Sequence, residues 1–294
     1  MDVNNFKEKS VTSYKRLCSK YINIIFSDIV KKGLIDPESV FFPESKKHIL
    51  NTCFQSLYPL VEFFDDLSET NHNFILYNSY LFAYAFFLDH SLDSLKNNPS
   101  TEVRSFQISS YLLLSYFEWL TKTDNSQAII SIFYNYYKEQ TDYLILEKKW
   151  HSPELYISAY GSDKKIYKKE ILLFFPFELL YKRVPIKPKQ VTLLKKIFIN
   201  YFSFILLADD LIDLNDDINH RCLTYPIALH YKSTGKFPES QEDIAPLESQ
   251  IIRVLNSFQE NINNFERAIG KHSLTIDNRI FCLKNELKKV GIKL

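Results

Sequence analysis

The chain has 294 residues, a formal net charge of +1 and near-equal acid and base counts (35 against 36), so no basic field for nucleic acid is indicated. Only 5 glycines stand against 24 phenylalanines and 19 tyrosines, which removes most of the material for tight turns, β-hairpins and glycine-rich phosphate loops. Four cysteines, Cys18, Cys53, Cys222 and Cys282, lie far apart without a CxxC pair, so neither a zinc site nor a disulfide framework is indicated, and a reducing cytoplasm is expected. The expected architecture is all-α: a single domain over residues 1–294, built as a bundle of about ten helices.

In chain order, apolar periodicity and punctuation by proline and polar clusters predict helices over 9–32 and 44–66. Glu62, Asp65 and Asp66 at the end of the second, with Glu69 just beyond it, form an acidic patch at helical spacing, which reads either as the solvent face of an outer helix or as an acidic wall. The helix over 72–96 is apolar round its circumference from Tyr77 to Leu88, as a buried helix is, and then turns acidic at Asp89 and Asp93, one turn apart. Helices over 101–121, 125–149 and 153–182 follow; in the last, Lys165, Lys168 and Lys169 share a sector at i, i+3 and i+4. The helix over 189–217 repeats the pattern of its acidic predecessor: an apolar run from Ile197 to Ala208, then Asp209, Asp210, Asp213, Asp216 and Asp217. Helices over 222–232, 242–268 and 275–290 complete the chain. Met1–Ser10 is polar where a secretory signal would be apolar, and no apolar run approaches the roughly 18 residues of a membrane span, so a protein without stable membrane insertion is expected.

The acidic run carries the chemistry. If its helix continues, Asp209, Asp213 and Asp217 stack on one face at i, i+4 and i+8, with Asp210 beside them. Like charges at that spacing destabilise a helix by about 0.2–0.5 kcal/mol per pair, so a cation is expected there. Mg²⁺ is the natural one, since it binds through one or two carboxylates and leaves its other positions to water and substrate phosphate. The competing reading is a solvated helix end, which is the ordinary explanation for a lone pair such as Asp89 and Asp93.

The run from Asp209 to Asp217, followed by Ile-Asn-His-Arg221-Cys-Leu-Thr-Tyr-Pro226, resembles the second aspartate motif of class I isoprenoid synthases. Asp89 and Asp93 match the first and last aspartates of that superfamily's first motif, with His90 in place of its second aspartate. The resemblance covers roughly residues 74–95 and 155–232. It implies a helical bundle around a central cavity, with Asp89, Asp93, Asp209, Asp210, Asp213 and Asp217 holding Mg²⁺ against a prenyl diphosphate. Asp89, Asp93, Asp209 and Asp213 would be the catalytic aspartates, and Lys165, Lys168, Lys169 and Arg221 the diphosphate-binding cations. Stepping back from Asp89 and Asp209 by helical turns gives Phe82, Ala85, Phe86, Phe202, Ile205 and Leu206 as cavity-lining candidates. An aromatic, dry lining would stabilise an allylic cation, although such stripes are as often core packing.

Chain-elongating members of the superfamily carry a GGKRxRP-like segment and paired arginines after the first aspartate motif, and this chain has neither; Asp93 is followed by Ser-Leu-Lys-Asn-Asn. The expected activity is therefore that of a Mg²⁺-dependent terpene synthase, a lyase of isoprenoid biosynthesis acting on a prenyl diphosphate. A prenyl diphosphate synthase or prenyltransferase with an atypical acceptor site, and a non-catalytic prenyl-diphosphate-binding helical protein, are the alternatives. A homodimer is common among similar proteins.

Overall fold

The computed structural model describes residues 16, 19–35, 46–47, 49–51, 59, 62–63, 71–94, 99–122, 126–183 and 187–292, and every regular element among them is helical. The chain divides into two compact units, Met1–Ile130 and Ser131–Leu294.

In the first unit, helix α1 (19–31) buries Ile22, Ile25, Phe26 and Ile29, which recur at three- and four-residue steps and so form one stripe. Gly33, in the left-handed region at φ 68°, ends it; its N–H reaches the Val30 carbonyl, while the Leu34 N–H reaches that of Ile29. Helix α2 (Asn71–Ser94) packs against α3 (Pro99–Thr121). Leu81, Phe82, Ala83 and Tyr84 are consecutive and all buried, as the apolar run predicts. Tyr77 stacks on Trp119 across the two helices at 4.6 Å between ring centroids, a contact worth about 1 kcal/mol beyond its area. The predicted helix over 44–66 and the patch at Asp65, Asp66 and Glu69 fall largely or wholly outside the described residues.

Helix α4 (Ser126–Glu147) leads into the second unit, which continues with α5 (Pro153–Tyr160), a 3₁₀ segment (Asp163–Phe174), α6 (Phe175–Arg183), α7 (Pro188–Ile212), α8 (Leu214–His220), α9 (Tyr225–Thr234), α10 (Gln241–Ile244), a 3₁₀ turn (Ala245–Leu247), α11 (Glu248–Ile269) and α12 (Leu274–Lys289). Helix α7 is central: the 3₁₀ segment, α11 and α12 all pack on it. Its faces bury Ile197, Phe198, Tyr201, Phe204 and Leu207 to zero exposure. By length and composition Lys189–Ile212 could cross a membrane, which corrects the expectation that no run approaches such a span. Buried over 61% of its most apolar window, it is accommodated as a core helix of this unit. Helix α11 is the amphipathic counterpart, presenting Ile251, Leu255, Phe258 and Ile262 inward.

Two predicted helices are interrupted. The expected helix over 153–182 breaks after Tyr160 at Gly161, where a Cβ would lie 2.7 Å from the Ile157 carbonyl oxygen, so the turn requires glycine. It then tightens into the 3₁₀ segment and kinks at Glu170 (φ −118°, ψ 33°) before Pro176 opens α6. The expected helix over 189–217 breaks at Asp213 (φ −94°, ψ 10°), which caps α7 and precedes α8.

Candidate functional site

Asp213 turns the chain without losing hydrogen bonds, since its N–H reaches the Asp209 carbonyl at 2.9 Å and its own carbonyl receives the Asp217 N–H at 2.9 Å. The break sorts the aspartates. Asp209, Asp213 and Asp216 are exposed, Asp217 is half-buried, and Asp210 points inward with 5% of its surface exposed.

Asp210 meets Lys169. The Lys169 Nζ donates to Asp210 Oδ1 at 3.3 Å and lies 3.2 Å from Glu147 Oε1, while Asp210 Oδ2 accepts the Tyr225 N–H at 3.4 Å. Three stretches of chain remote in sequence, ending α4, kinking the 3₁₀ segment and ending α7, thus converge on one ammonium. The kink that aims Lys169 is held by Gln140 of α4, whose side chain donates to the Lys169 carbonyl and accepts the Leu172 N–H at 3.2 Å. Those are backbone groups that a continuous helix would have satisfied itself. Beside the cluster, the hydroxyls of Tyr143 and Tyr156 meet at 2.7 Å, and burial holds both phenols well above their usual pKa.

The electrostatics are lopsided. Burial drives the Asp210 carboxyl up to about 6, with Lys169 opposing and Glu147 and Asp209 adding to the rise. Burial, then Asp210, drives Asp217 up to about 8 against the pull of Lys169. Asp213 is raised in the same direction by burial, Asp209 and Asp216. One ammonium is too little positive charge for this group of carboxylates.

The donors suit a hard divalent cation. All are carboxylate oxygens, and the exposed pair Asp209 and Asp213 is one turn apart. Among the described residues no three His, Cys, Asp or Glu side chains converge on one point.

The remaining predicted residues are distributed as follows. Lys165, Lys168 and Lys169 do not share a sector: Lys165 Nζ donates to the Ala159 carbonyl at 2.7 Å, Lys168 pairs with Glu139, and Lys169 turns to Glu147 and Asp210. With three residues per turn and a kink following, i and i+4 diverge. Arg221 takes the left-handed conformation (φ 56°) after α8, and lines an open cleft with Trp150, Tyr231 and Phe237. In the first unit, Phe82 is buried while Ala85 and Phe86 are half-buried. In the second, Phe202 is buried and packs on Phe174 at 5.2 Å, Leu206 is buried and Ile205 is half-buried. Asp89 and Asp93 lie on the last turns of α2, but their side chains fall outside the described residues.

Glu147 and Gln140 were missed by sequence reasoning. A signal existed for Glu147, an acid closing the apolar run Tyr143-Leu-Ile-Leu, much as Asp209 closes its own. No protein-family model, curated protein or solved structure matches this chain.

Proposed function

We propose that this chain is a Mg²⁺-dependent class I terpene synthase, which ionises an allylic prenyl diphosphate and lets the resulting carbocation cyclise or be quenched. The observation that carries the reading is the ammonium of Lys169, shared between Glu147 and Asp210 at 3.2 and 3.3 Å beside the exposed carboxylates Asp209 and Asp213. A diphosphate ester needs both polarities: carboxylates for its counter-cations and a cation for its oxygens. Mg²⁺ ions, each held by one or two of Asp209, Asp210, Asp213 and Asp217, would supply Lewis-acid neutralisation of the leaving diphosphate. Lys169 would hydrogen-bond the diphosphate oxygens as charge develops on them, and Arg221, on the loop after the motif, is the second candidate cation. The apolar face of α7 leading to Asp209, with Phe202, Ile205 and Leu206, would keep water from the organic half of the substrate. The resemblance of the aspartate run to the second motif of class I isoprenoid synthases supports the same assignment.

The test is substitution within the acidic turn. Asp209→Asn should abolish Mg²⁺-dependent release of inorganic diphosphate from allylic diphosphates. Asp216→Asn, an equally exposed neighbour outside the proposed ligand set, should leave release within about threefold of wild type, the scale of a neutral surface change. Equal rates for wild type and Asp209→Asn would remove the assignment.

A further inference from the structure

Glu147 belongs to none of the motifs, yet it ties the acidic turn to the lysine segment. Its backbone carbonyl accepts the Leu223 N–H at 2.8 Å, two residues before the Tyr225 N–H that reaches Asp210. Its side chain is 3% exposed. The Lys169 Nζ approaches Glu147 Oε1 at 3.2 Å without hydrogen-bond alignment, so this buried oxygen has an ionic neighbour but no hydrogen bond, whereas the contact to Asp210 is aligned. A carboxylate placed in this way adds little to folding, because its desolvation offsets its attraction to the ammonium. It does place a negative charge 3.2 Å from the ammonium.

We propose that Glu147 is a positioning residue of the diphosphate site, competing with the incoming diphosphate for Lys169 and holding the ammonium against Asp210 until a diphosphate carrying its own cations draws it away. This rests on the reading of Lys169 as a diphosphate contact. A diphosphate offers more negative charge and more acceptor oxygens than one carboxylate. A cation engaged by Asp210 loosens that aspartate's hold on Lys169, so metal and diphosphate release the ammonium together while neither does so alone. Glu147 thereby couples occupancy of the acidic turn to presentation of Lys169.

Calorimetric titration of inorganic diphosphate in the presence of Mg²⁺, on wild type, Glu147→Gln, Glu147→Asp and the double variant Glu147→Gln/Lys169→Met, tests this. Removing the competing charge should tighten diphosphate binding by roughly tenfold in Glu147→Gln, a coupling of ordinary size. Glu147→Asp keeps the charge and should stay within about threefold of wild type, and the double variant should lose the gain. A merely structural glutamate would give unchanged or weaker binding in Glu147→Gln, and equal tightening in Glu147→Asp would assign the effect to packing; either overturns the proposal. Absence of any Mg²⁺-dependent diphosphate binding by wild type would overturn the underlying functional reading together with it. In wild type itself, the side-chain amine resonance of Lys169 should shift on adding magnesium diphosphate, and an unmoved resonance contradicts the proposal without recourse to a variant.

Discussion

Burial disfavours the charged form of Lys169, but Glu147 and Asp210 outweigh it and hold the ammonium's pKa well above the usual lysine range. Lys169→Met would leave two buried carboxylates facing each other, and should destabilise the protein by about 3 kcal/mol in chemical denaturation, the scale for breaking a buried pair. Adding Glu147→Gln to that variant should recover part of the loss, because one of the uncompensated charges is gone. Asp217 has the opposite character. Its carboxyl is raised from 3.8 to about 8, first by burial and then by Asp210. A folded-state pKa above the unfolded one stabilises the fold below the unfolded value, and the contribution drains away as pH rises through the folded value. The melting temperature of the metal-free protein should therefore fall between about pH 4 and pH 8, and Asp217→Asn should flatten that slope. A slope unchanged in the variant would assign the pH dependence to other groups.

The 3₁₀ segment Asp163–Phe174 is the element that makes the site, because its kink at Glu170 delivers Lys169 to Asp210 while Lys165 and Lys168 go elsewhere. Gln140→Ala would strip the Lys169 carbonyl and the Leu172 N–H of their partner. The expected cost is about 1–3 kcal/mol of stability, with weakened diphosphate binding and faster amide exchange at Leu172. Unchanged exchange at Leu172 would show that the clamp is dispensable. How legible this was in sequence depends on range. Apolar stripes are local, so α11, with Ile251, Leu255, Phe258 and Ile262, and the buried run in α2 could be read directly from periodicity. The breaks at Gly161 and Pro176 were marked by residue type but lay inside a pattern that reads as continuous helix. The helix end at Asp213 left no such mark, because aspartate continues a helix at modest cost. Glu147 was legible only as an acid closing an apolar run; Gln140, the contact of Glu147 with Lys169 and the separate partners of the three lysines were illegible, since each depends on a contact some 20 to 75 residues away or on a 3₁₀ period that the side-chain pattern does not announce.

At the scale of the molecule, glycine poverty and helical periodicity correctly exclude strands among the described residues. The acidic turn at Asp209–Asp217 belongs to the second unit, and α2, ending in Asp89 and Asp93, to the first. The resemblance to class I isoprenoid synthases also calls for a first aspartate motif, for which Asp89 with Asp93 and the Asp65, Asp66 and Glu69 patch are the two candidates. Asp89→Asn and Asp66→Asn, assayed separately, should differ: loss of the true ligand abolishes Mg²⁺-dependent turnover, whereas the other leaves it within about threefold of wild type. Equal, undiminished rates in both would exclude both walls. The central claim is ionisation of an allylic diphosphate without an acceptor. It is tested most directly by incubating the purified protein with Mg²⁺ and, separately, allylic diphosphates of increasing chain length, with and without isopentenyl diphosphate. Hydrocarbon or alcohol formed from an allylic diphosphate alone, with inorganic diphosphate released in equal amount, is the predicted result. Longer prenyl diphosphates appearing only with isopentenyl diphosphate, or binding without turnover, would contradict it.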